Sequence, residues 1–362
     1  MRTDVMTDVT ATERFAAYDL LSLATALFER VGLATPRAKV VAEVLVEGDL
    51  IGHSTHGLQL AARHLQGIEV GAVAKSGEPR VIADQGSAVT WDGCWLPGPW
   101  LVREALDLAF ERASIHPVVT FVIRSSGHIG CLAAYPRIAT ERNLMMILTS
   151  SDPAVSIVAP HGSCEGRYTP NPIAAGWPTD AEPIILDVCP STTTAGMAGR
   201  MAAAGASYEG PWLVSGNGEL SNDPAVLQQS PPGAILPLGG AELGHKGFAL
   251  GLLVEALTSA LSGFGRADNV RQDGASVFLQ VINPSFFAGA DAFRREASWL
   301  AHSCRSARTR PGVRQVRMPG ERGLDLRKTQ LRDGVGLHPD TLNNLSQWAK
   351  KLNVPMPPPL RG

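Results

Sequence analysis

The chain has 362 residues, of which 44% are hydrophobic, and its 32 basic and 34 acidic residues leave a net charge of −2. This balance excludes the basic excess of a nucleic-acid-binding protein, and no apolar run reaches the roughly eighteen residues of a membrane span. The first residues are too polar for a secretory signal, and the five cysteines are scattered without a Cys-x-x-Cys pair. We therefore expect a cytoplasmic protein, large enough for two domains, that binds neither membranes nor nucleic acids.

Apolar residues at helical spacing predict a series of amphipathic helices. These cover residues 15–31, 35 to about 50, 61–67, 100–114, 135–142, 195–204, 248–261, 293–305 and 341–352. Short apolar and β-branched runs between them predict strands at 80–83, 88–91, 117–124, 144–149, 184–188 and 276–282. Residues 1–14 carry neither pattern, and we expect them to be disordered.

The most concentrated chemistry lies directly after the second predicted helix, in Gly52-His-Ser-Thr-His56-Gly-Leu. Its two imidazoles flank two hydroxyls, and histidine is the side chain that can give or take a proton near neutral pH. A structural role in the turn is an equally ordinary interpretation of either histidine alone. A metal-dependent hydrolase or lyase using His53 and His56 as ligands is a further alternative, although no third ligand is evident at metal-site spacing.

Two other segments place polar groups at strand ends. Ser125-Ser-Gly-His128-Ile-Gly130 follows a predicted strand, and the backbone N–H groups of such a turn can converge on a phosphate. A tight strand-to-helix connection explains the same residues equally well. Asp187 lies near the end of the predicted strand 184–188. Its carboxylate could receive a ribose hydroxyl there, or it could cap the helix that follows Ser191–Thr194.

A long irregular segment spans residues 160–172, and such loops are often functional. Further on, the glycine-rich stretch 237–247 brings His245 and Lys246 to the predicted start of an apolar helix, a good position for meeting an anion. No strand is followed by G-x-G-x-x-G, and no P-loop occurs. The sequence therefore does not support a Rossmann-type dinucleotide site.

The order of these motifs resembles the malate/L-lactate dehydrogenase family, which also includes ureidoglycolate and sulfolactate dehydrogenases, diketogulonate reductase and piperideine-carboxylate reductases. The resemblance is collinear from about residue 20 to about residue 360. It is carried by Gly52-His-Ser-Thr-His56-Gly-Leu, Ser125-Ser-Gly-His128-Ile-Gly, Asn171-Pro-Ile-Ala, Ile185-Leu-Asp187, Pro237-Leu-Gly-Gly, Gly244-His-Lys-Gly-Phe and Met318-Pro-Gly-Glu321.

This resemblance implies an NAD(P)-dependent dehydrogenase or reductase that is a homodimer, takes a small-molecule substrate, and has its active site near the subunit interface. It implies an α/β fold that binds NAD or NADP without a Rossmann domain. We expect a central mixed or antiparallel sheet domain at residues 86–247 and a helical domain built from both chain ends, 15–85 and 248–362. The alternative is a catalytically silent family member that acts as a small-molecule binding protein.

The family's site residues transfer to this chain by their motif positions. His56 matches the general acid/base, supported by Thr55. The implied cofactor-contacting residues are His128, Ile129, Gly130, Asp187, His245, Lys246, Pro319, Gly320 and Glu321. The implied substrate-side residues are Leu60, Thr169 and Asn171.

Two departures from the family's pattern concern the substrate. Leu60 stands where the family commonly has an arginine that can hold a carboxylate, and Thr169-Pro-Asn-Pro172 replaces the usual Gly-Thr-Asn-Pro. Arg63, one helical turn further, could take over the carboxylate or could simply face solvent. We expect an altered substrate, such as a bulkier ketone or a cyclic imine, packed against Leu60.

Overall fold

The computed structural model describes residues 13–360, so the disorder expected for residues 1–12 lies outside the described part. The helices are α1 Ala17–Arg30, α2 Thr35–Leu50, α3 Ala61–Glu69, α4 Gly98–Arg112, α5 Pro136–Thr140, α6 Ala195–Ala203, α7 Gly240–Glu255, α8 Ala290–Arg305, α9 Glu321–Asp333 and α10 Pro339–Leu352. The strands are β1 Arg14–Phe15, β2 Arg80–Asp84, β3 Ala88–Asp92, β4 Val118–Ser126, β5 Met145–Ser151, β6 Ile173–Trp177, β7 Ile184–Val188, β8 Leu213–Val214, β9 Leu220–Ser221, β10 Ala234–Ile235, β11 Ala275–Ile282 and β12 Val335–Gly336. None of the helices within residues 13–360 is both long and apolar enough to cross a bilayer.

The main sheet has the strand order β2-β3-β4-β11-β5-β6-β7. The β3–β4 pair is parallel and the other neighbours are antiparallel, which confirms the predicted mixed sheet. The predicted domain boundaries need correction here, because β2 and β11 lie in the sheet although both fall in the segments assigned to the helical domain. An apolar strand carries no local mark of its partners, since register is set by facing side chains far away in the chain.

Both ends of the chain meet in one helical layer. A core cluster combines buried apolar residues of 15–68 with those of 335–354, so α1, α2, α3 and α10 share one interior. Strand β1 pairs with β12 through Arg14 and Gly336. Arg14 therefore belongs to this pairing, not to the disordered segment in which the sequence placed it.

Helix α9 was not predicted, because its sequence is mostly polar. It is held by a tertiary contact: the buried Gln330 amide donates hydrogen bonds to the carbonyls of Asp49 and Leu50, at 2.8 and 3.0 Å. These carbonyls form the last turn of α2, where intrahelical donors are missing. Gln330 thus fixes the end of α2, from which the histidine turn emerges.

A smaller subregion contains α6 and the short strands β8, β9 and β10. The sequence predicted α6 but not the three strands, which form a small sheet of their own. Helix α7 borders this part and starts at Gly240, eight residues before the predicted start. Two glycines explain the difference. A Cβ on Gly247 would lie 2.4 Å from the Leu238 nitrogen, and one on Gly244 would lie 3.1 Å from His161. These glycines allow α7 to pack closely against its neighbours. Because glycine has a low helix propensity, the sequence pattern did not predict the first two turns of this helix.

Candidate active site and cofactor cavity

The segment 53–60 is an irregular turn that neighbouring elements hold in place. It leaves α2 through Gly52, whose φ of 85° favours glycine, and forms two short 3-10 turns. The buried Asp49 carboxylate accepts a hydrogen bond from the Leu58 amide at 2.7 Å. A Cβ on Gly57 would lie 2.5 Å from that carboxylate, so the backbone approaches Asp49 as closely as glycine permits.

Helix α6 supports the same turn from the other direction. The Arg200 guanidinium donates to Ser54 Oγ at 3.1 Å and to the side-chain oxygen of Gln59. Gly196, at the start of this helix, is the position whose Cβ would lie 3.7 Å from Thr55 Cβ. The turn that carries His56 is therefore fixed by α2 and α6 together.

His56 is held by its neighbour and is kept neutral. Thr55 Oγ1 lies 3.0 Å from His56 Nδ1, within hydrogen-bonding distance. Burial, followed by the charges of His53 and Arg63, lowers the pKa of His56 to about 4. At neutral pH the protein therefore presents a neutral imidazole that can accept a proton.

His128 stacks beside this imidazole. The ring centroids of His56 and His128 are 6.0 Å apart and their planes differ by 30°. The Gly130 amide, in a turn with φ of 74°, donates to His128 Nδ1 at 3.0 Å. Burial and the neighbouring imidazoles lower the pKa of His128 well below its usual range. With Nδ1 accepting, the ring proton of neutral His128 is on Nε2.

A third histidine, His64 on α3, completes the cluster, and the sequence analysis missed it. Its ring centroid lies 6.0 Å from that of His128, and its side chain is only 4% exposed. Burial lowers the pKa of His64 to about 4, and Nε2 has no hydrogen-bond partner among residues 13–360. The available signal was its spacing of four residues from Leu60, which places both side chains on one helical face.

Arg63 gives the cluster a positive field. Its guanidinium pairs with Asp273 at 3.3 Å, and both side chains are about half exposed. The interpretation that Arg63 merely faces solvent is therefore incomplete, because its charge also lowers the pKa values of His56, His64 and His128. A site made of one cation and three neutral imidazoles favours an anionic ligand. Leu60 itself packs against the core shared by the two chain ends.

A cavity of about 700 Å³ opens beside the turn. The lining residues that carry chemistry are His53, Asp187, Arg317, Pro319, Gly320 and Arg322. Gly320 has a φ of 85°, and a Cβ there would lie 2.7 Å from the Ile185 carbonyl oxygen. The structure thus brings together three of the residues expected to contact the cofactor, Asp187, Pro319 and Gly320. It adds three arginines to which the motifs assigned no role, Arg137, Arg317 and Arg322.

Asp187 does not cap the helix that follows it. Thr194 fills that role by accepting from the Met197 amide at 3.2 Å. Asp187 Oδ2 instead accepts from the Ala133 amide at 2.9 Å and lies 3.9 Å from the Cys131 sulfur. Burial raises the pKa of Asp187. The helix-capping alternative from the sequence is therefore wrong, because Asp187 accepts from the backbone of another segment; contact with a ribose hydroxyl stays a prediction.

Other expected cofactor residues shape the structure around the cavity. The Glu321 carboxylate accepts from the Met318 amide at 2.7 Å and closes the turn before α9. The carbonyl of the buried Ile129 accepts from the Tyr135 hydroxyl at 2.5 Å. Neither residue lines the cavity.

His245 and Lys246 lie in the second turn of α7, both exposed, and not in a loop ahead of the helix. The His245 ring is 5.7 Å from the His161 ring. Neither residue is in the lining of the cavity that contains Asp187. Within a single chain, the structure therefore separates them from the other expected cofactor residues.

Thr169 and Asn171 are buried and bonded to their surroundings. The Asn171 amide donates to the Gly251 carbonyl at 3.0 Å and to Glu255 at 3.1 Å, while the Thr169 hydroxyl donates to Asn171. These bonds fix residues 169–172 against α7. Their polar groups are thus used by the protein, although the sequence analysis expected them to contact substrate.

The proposed metal pair of His53 and His56 needs a correction. His56 lies with His128, whereas His53 lies near Cys131 and Asp187, with one ligand atom of each within 4.8 Å of the others. The sequence could not reveal this group because its members are 78 and 56 residues apart in the chain.

Known proteins with related sequences place this arrangement in a family. A family model described as malate/L-lactate dehydrogenase matches residues 15–346. The chain belongs to the malate/L-lactate dehydrogenase family. It is accordingly an oxidoreductase.

Individual members of the malate/L-lactate dehydrogenase family match over most of their length. The malate dehydrogenase of Pyrococcus horikoshii is 30% identical over 344 residues, covering 92% of this chain and 94% of the relative. The L-lactate dehydrogenase of Cupriavidus necator is 29% identical over 324 residues, covering 88% and 91%. The crystal structure of malate dehydrogenase from Entamoeba histolytica shares the fold, with a TM-score of 0.90 at 24% identity over 95% of this chain and 99% of that one.

Proposed function

We propose that the protein transfers a hydride between NAD or NADP and a 2-hydroxy or 2-keto acid, or a related ketone or cyclic imine, with His56 as general acid/base. The observation that carries this proposal is the neutral His56 imidazole, which lies 3.0 Å from the Thr55 hydroxyl and within the influence of the Arg63 charge. Hydroxy acids are also the substrates in the names of the malate and lactate dehydrogenases to which the chain is similar.

The His56 geometry suits proton transfer in both directions. When Nδ1–H donates to the Thr55 hydroxyl, the Nε2 lone pair is free to accept the proton of a substrate hydroxyl. In the reverse direction His56 must carry a proton, which its low pKa opposes. A substrate carboxylate beside Arg63 would raise that pKa, since a nearby opposite charge favours the protonated imidazole.

The cavity residues fit a dinucleotide. Asp187 uses only Oδ2 for hydrogen bonds within residues 13–360, so Oδ1 can accept from a ribose hydroxyl. Arg317 and Arg322 line the same cavity and are suited to phosphate oxygens. The bound nicotinamide would supply or accept the hydride. Nothing in this residue set distinguishes NAD from NADP, so both belong to the proposal.

The test is nicotinamide absorbance during incubation with pyruvate, oxaloacetate and cyclic imines. His56→Gln should lower turnover by roughly two to four powers of ten, while the cofactor dissociation constant stays within about twofold. His302→Gln, an exposed position on α8, is the matched control. Turnover that survives in His56→Gln, or a wild type that binds cofactor without turning over any of these substrates, would reject the proposal.

We also propose that the protein is a cytoplasmic homodimer that uses α7 as part of its interface. This helix exposes four leucines, Leu243, Leu250, Leu252 and Leu253, to between 41% and 50%, and exposed apolar surface favours association. A partner subunit could bring His245 and Lys246 near a cavity from which they are distant within one chain. The five free cysteines agree with a reducing compartment. Sedimentation of wild type and Leu253→Glu tests the interface, since the variant should shift toward monomer.

A further inference from the structure

We propose that His53, Cys131 and Asp187 form a binding site for a thiophilic divalent metal ion such as Zn²⁺, and that the bound ion excludes the dinucleotide. One ligand atom from each residue lies within 4.8 Å of the others. A thiolate, an imidazole and a carboxylate are the donors that zinc prefers, and three protein ligands with one open position are common for this ion.

The distances require only a small adjustment. Zinc bonds of about 2.0 to 2.3 Å in tetrahedral geometry place ligand atoms roughly 3.3 to 3.8 Å apart. Cys131 Sγ and Asp187 Oδ2 are already 3.9 Å apart. The remaining approach falls to His53, whose ligand nitrogen lies within 4.8 Å of the other two ligand atoms and whose ring can move closer by rotation about its side-chain torsions.

The burial of the Asp187 carboxylate is only partly offset by the charge of His53. The carboxylate also lies beside a thiol that is only 2% exposed. Keeping a partly buried carboxylate ionised costs free energy. A divalent cation would supply the missing charge and would draw the Cys131 thiol into its thiolate form.

Exclusion of the dinucleotide follows from shared residues. His53 and Asp187 line the cavity, and Cys131 lies behind its wall. An ion held by Asp187 Oδ2 would lie next to Oδ1, the acceptor that we assign to the ribose hydroxyl. The open coordination position of the ion would face the cavity and leave no room there for the ribose. This second half of the inference rests on the proposed cofactor site, whereas the metal site itself does not.

The binding test uses Co²⁺ as a spectroscopic substitute for Zn²⁺ on the purified full-length protein. Wild type should show a thiolate-to-cobalt absorption band at one equivalent, and excess Zn²⁺ should remove it. Cys131→Ser and Cys131→Ala should lose the band, and His53→Gln should bind at least about tenfold more weakly. Cys94→Ser, at an exposed cysteine, is the matched control and should keep the band.

The competition test measures NADH binding by fluorescence with and without one equivalent of Zn²⁺. Zinc should weaken NADH binding in wild type but not in Cys131→Ser, with near-ultraviolet circular dichroism confirming that each variant is folded.

Absence of the cobalt absorption band in folded wild type, or a band that Cys94→Ser abolishes and Cys131→Ser keeps, overturns the metal site. A band together with unchanged NADH binding overturns exclusion alone. Failure of both NADH and NADPH to bind even without metal refutes the proposed function instead.

Discussion

Asp49→Asn should make the protein relatively more stable in alkaline solution. The Asp49 carboxyl is 5% exposed, and burial raises its pKa from 3.8 to about 7, against the opposing effects of the Leu58 amide and the Arg200 charge. A carboxyl whose pKa is raised on folding contributes stability below its unfolded pKa. That contribution is lost as pH rises through the folded pKa. Asparagine does not ionise, so the free energy of unfolding of the variant does not fall for this reason as the pH rises.

The two pKa values set the size of the effect. With 3.8 for the unfolded chain and about 7 for the folded one, the carboxyl costs wild type about 2.5 kcal/mol more at about pH 8 than at about pH 5. Asparagine keeps an acceptor for Leu58 N–H but adds two donors, whose burial costs about 1–3 kcal/mol if they stay unpaired. That cost is the same at both pH values, so the difference between them isolates the carboxyl.

Urea unfolding followed by tryptophan fluorescence at the two pH values, at one fixed protein concentration, measures the difference. The free energy of unfolding of Asp49→Asn relative to wild type should increase by about 2.5 kcal/mol from about pH 5 to about pH 8. Asp325→Asn, whose side chain is 70% exposed, is the control and should follow wild type. A parallel pH dependence of wild type and Asp49→Asn would show that Asp49 is already ionised in the folded protein, which refutes the reasoning.

Arg63→Met keeps the length of the side chain but removes the cation. It should raise KM for carboxylate substrates by roughly tenfold or more, because a charge-assisted hydrogen bond is lost. KM for an uncharged ketone should change little. Equal changes for both substrates would assign Arg63 a structural role. Gly320→Ala places a Cβ 2.7 Å from the Ile185 carbonyl at a φ of 85° and should weaken cofactor binding, measured by NADH fluorescence. Gly312→Ala, where φ is also positive but a Cβ meets no atom within 4 Å, is its control.

The local patterns predicted much of this fold, because helix faces and buried strands are encoded by neighbouring residues. The second helix has its predicted bounds, and the strand at 184–188 was predicted to the residue. Helix α9 escaped because its stability comes from Gln330 and its contact with α2, a partner about 280 residues away. The place of β11 between β4 and β5 escaped for the same reason, since pairing partners leave no mark in a local window.

The site was predicted unequally. His56, Thr55 and His128 are indeed grouped, and Asp187 shares a cavity with Pro319 and Gly320. Family motifs located these residues, because the motifs mark positions that are far apart in the chain but close in the fold. His64 was missed although its spacing of four residues from Leu60 offered a signal. Arg317 and Arg322 received no role, because an arginine in a turn has no local pattern that separates a site residue from a surface one.

The central position of β11 constrains how the chain can be made. Strands β4 and β5 lie on either side of β11, and they are synthesised more than a hundred residues before it. A nascent chain therefore carries two unpaired apolar strand edges until residues 275–282 have left the ribosome. Such edges are templates for pairing with other chains. We expect any chain truncated before residue 275 to aggregate, and a chaperone that covers strand edges to raise the yield of the complete protein.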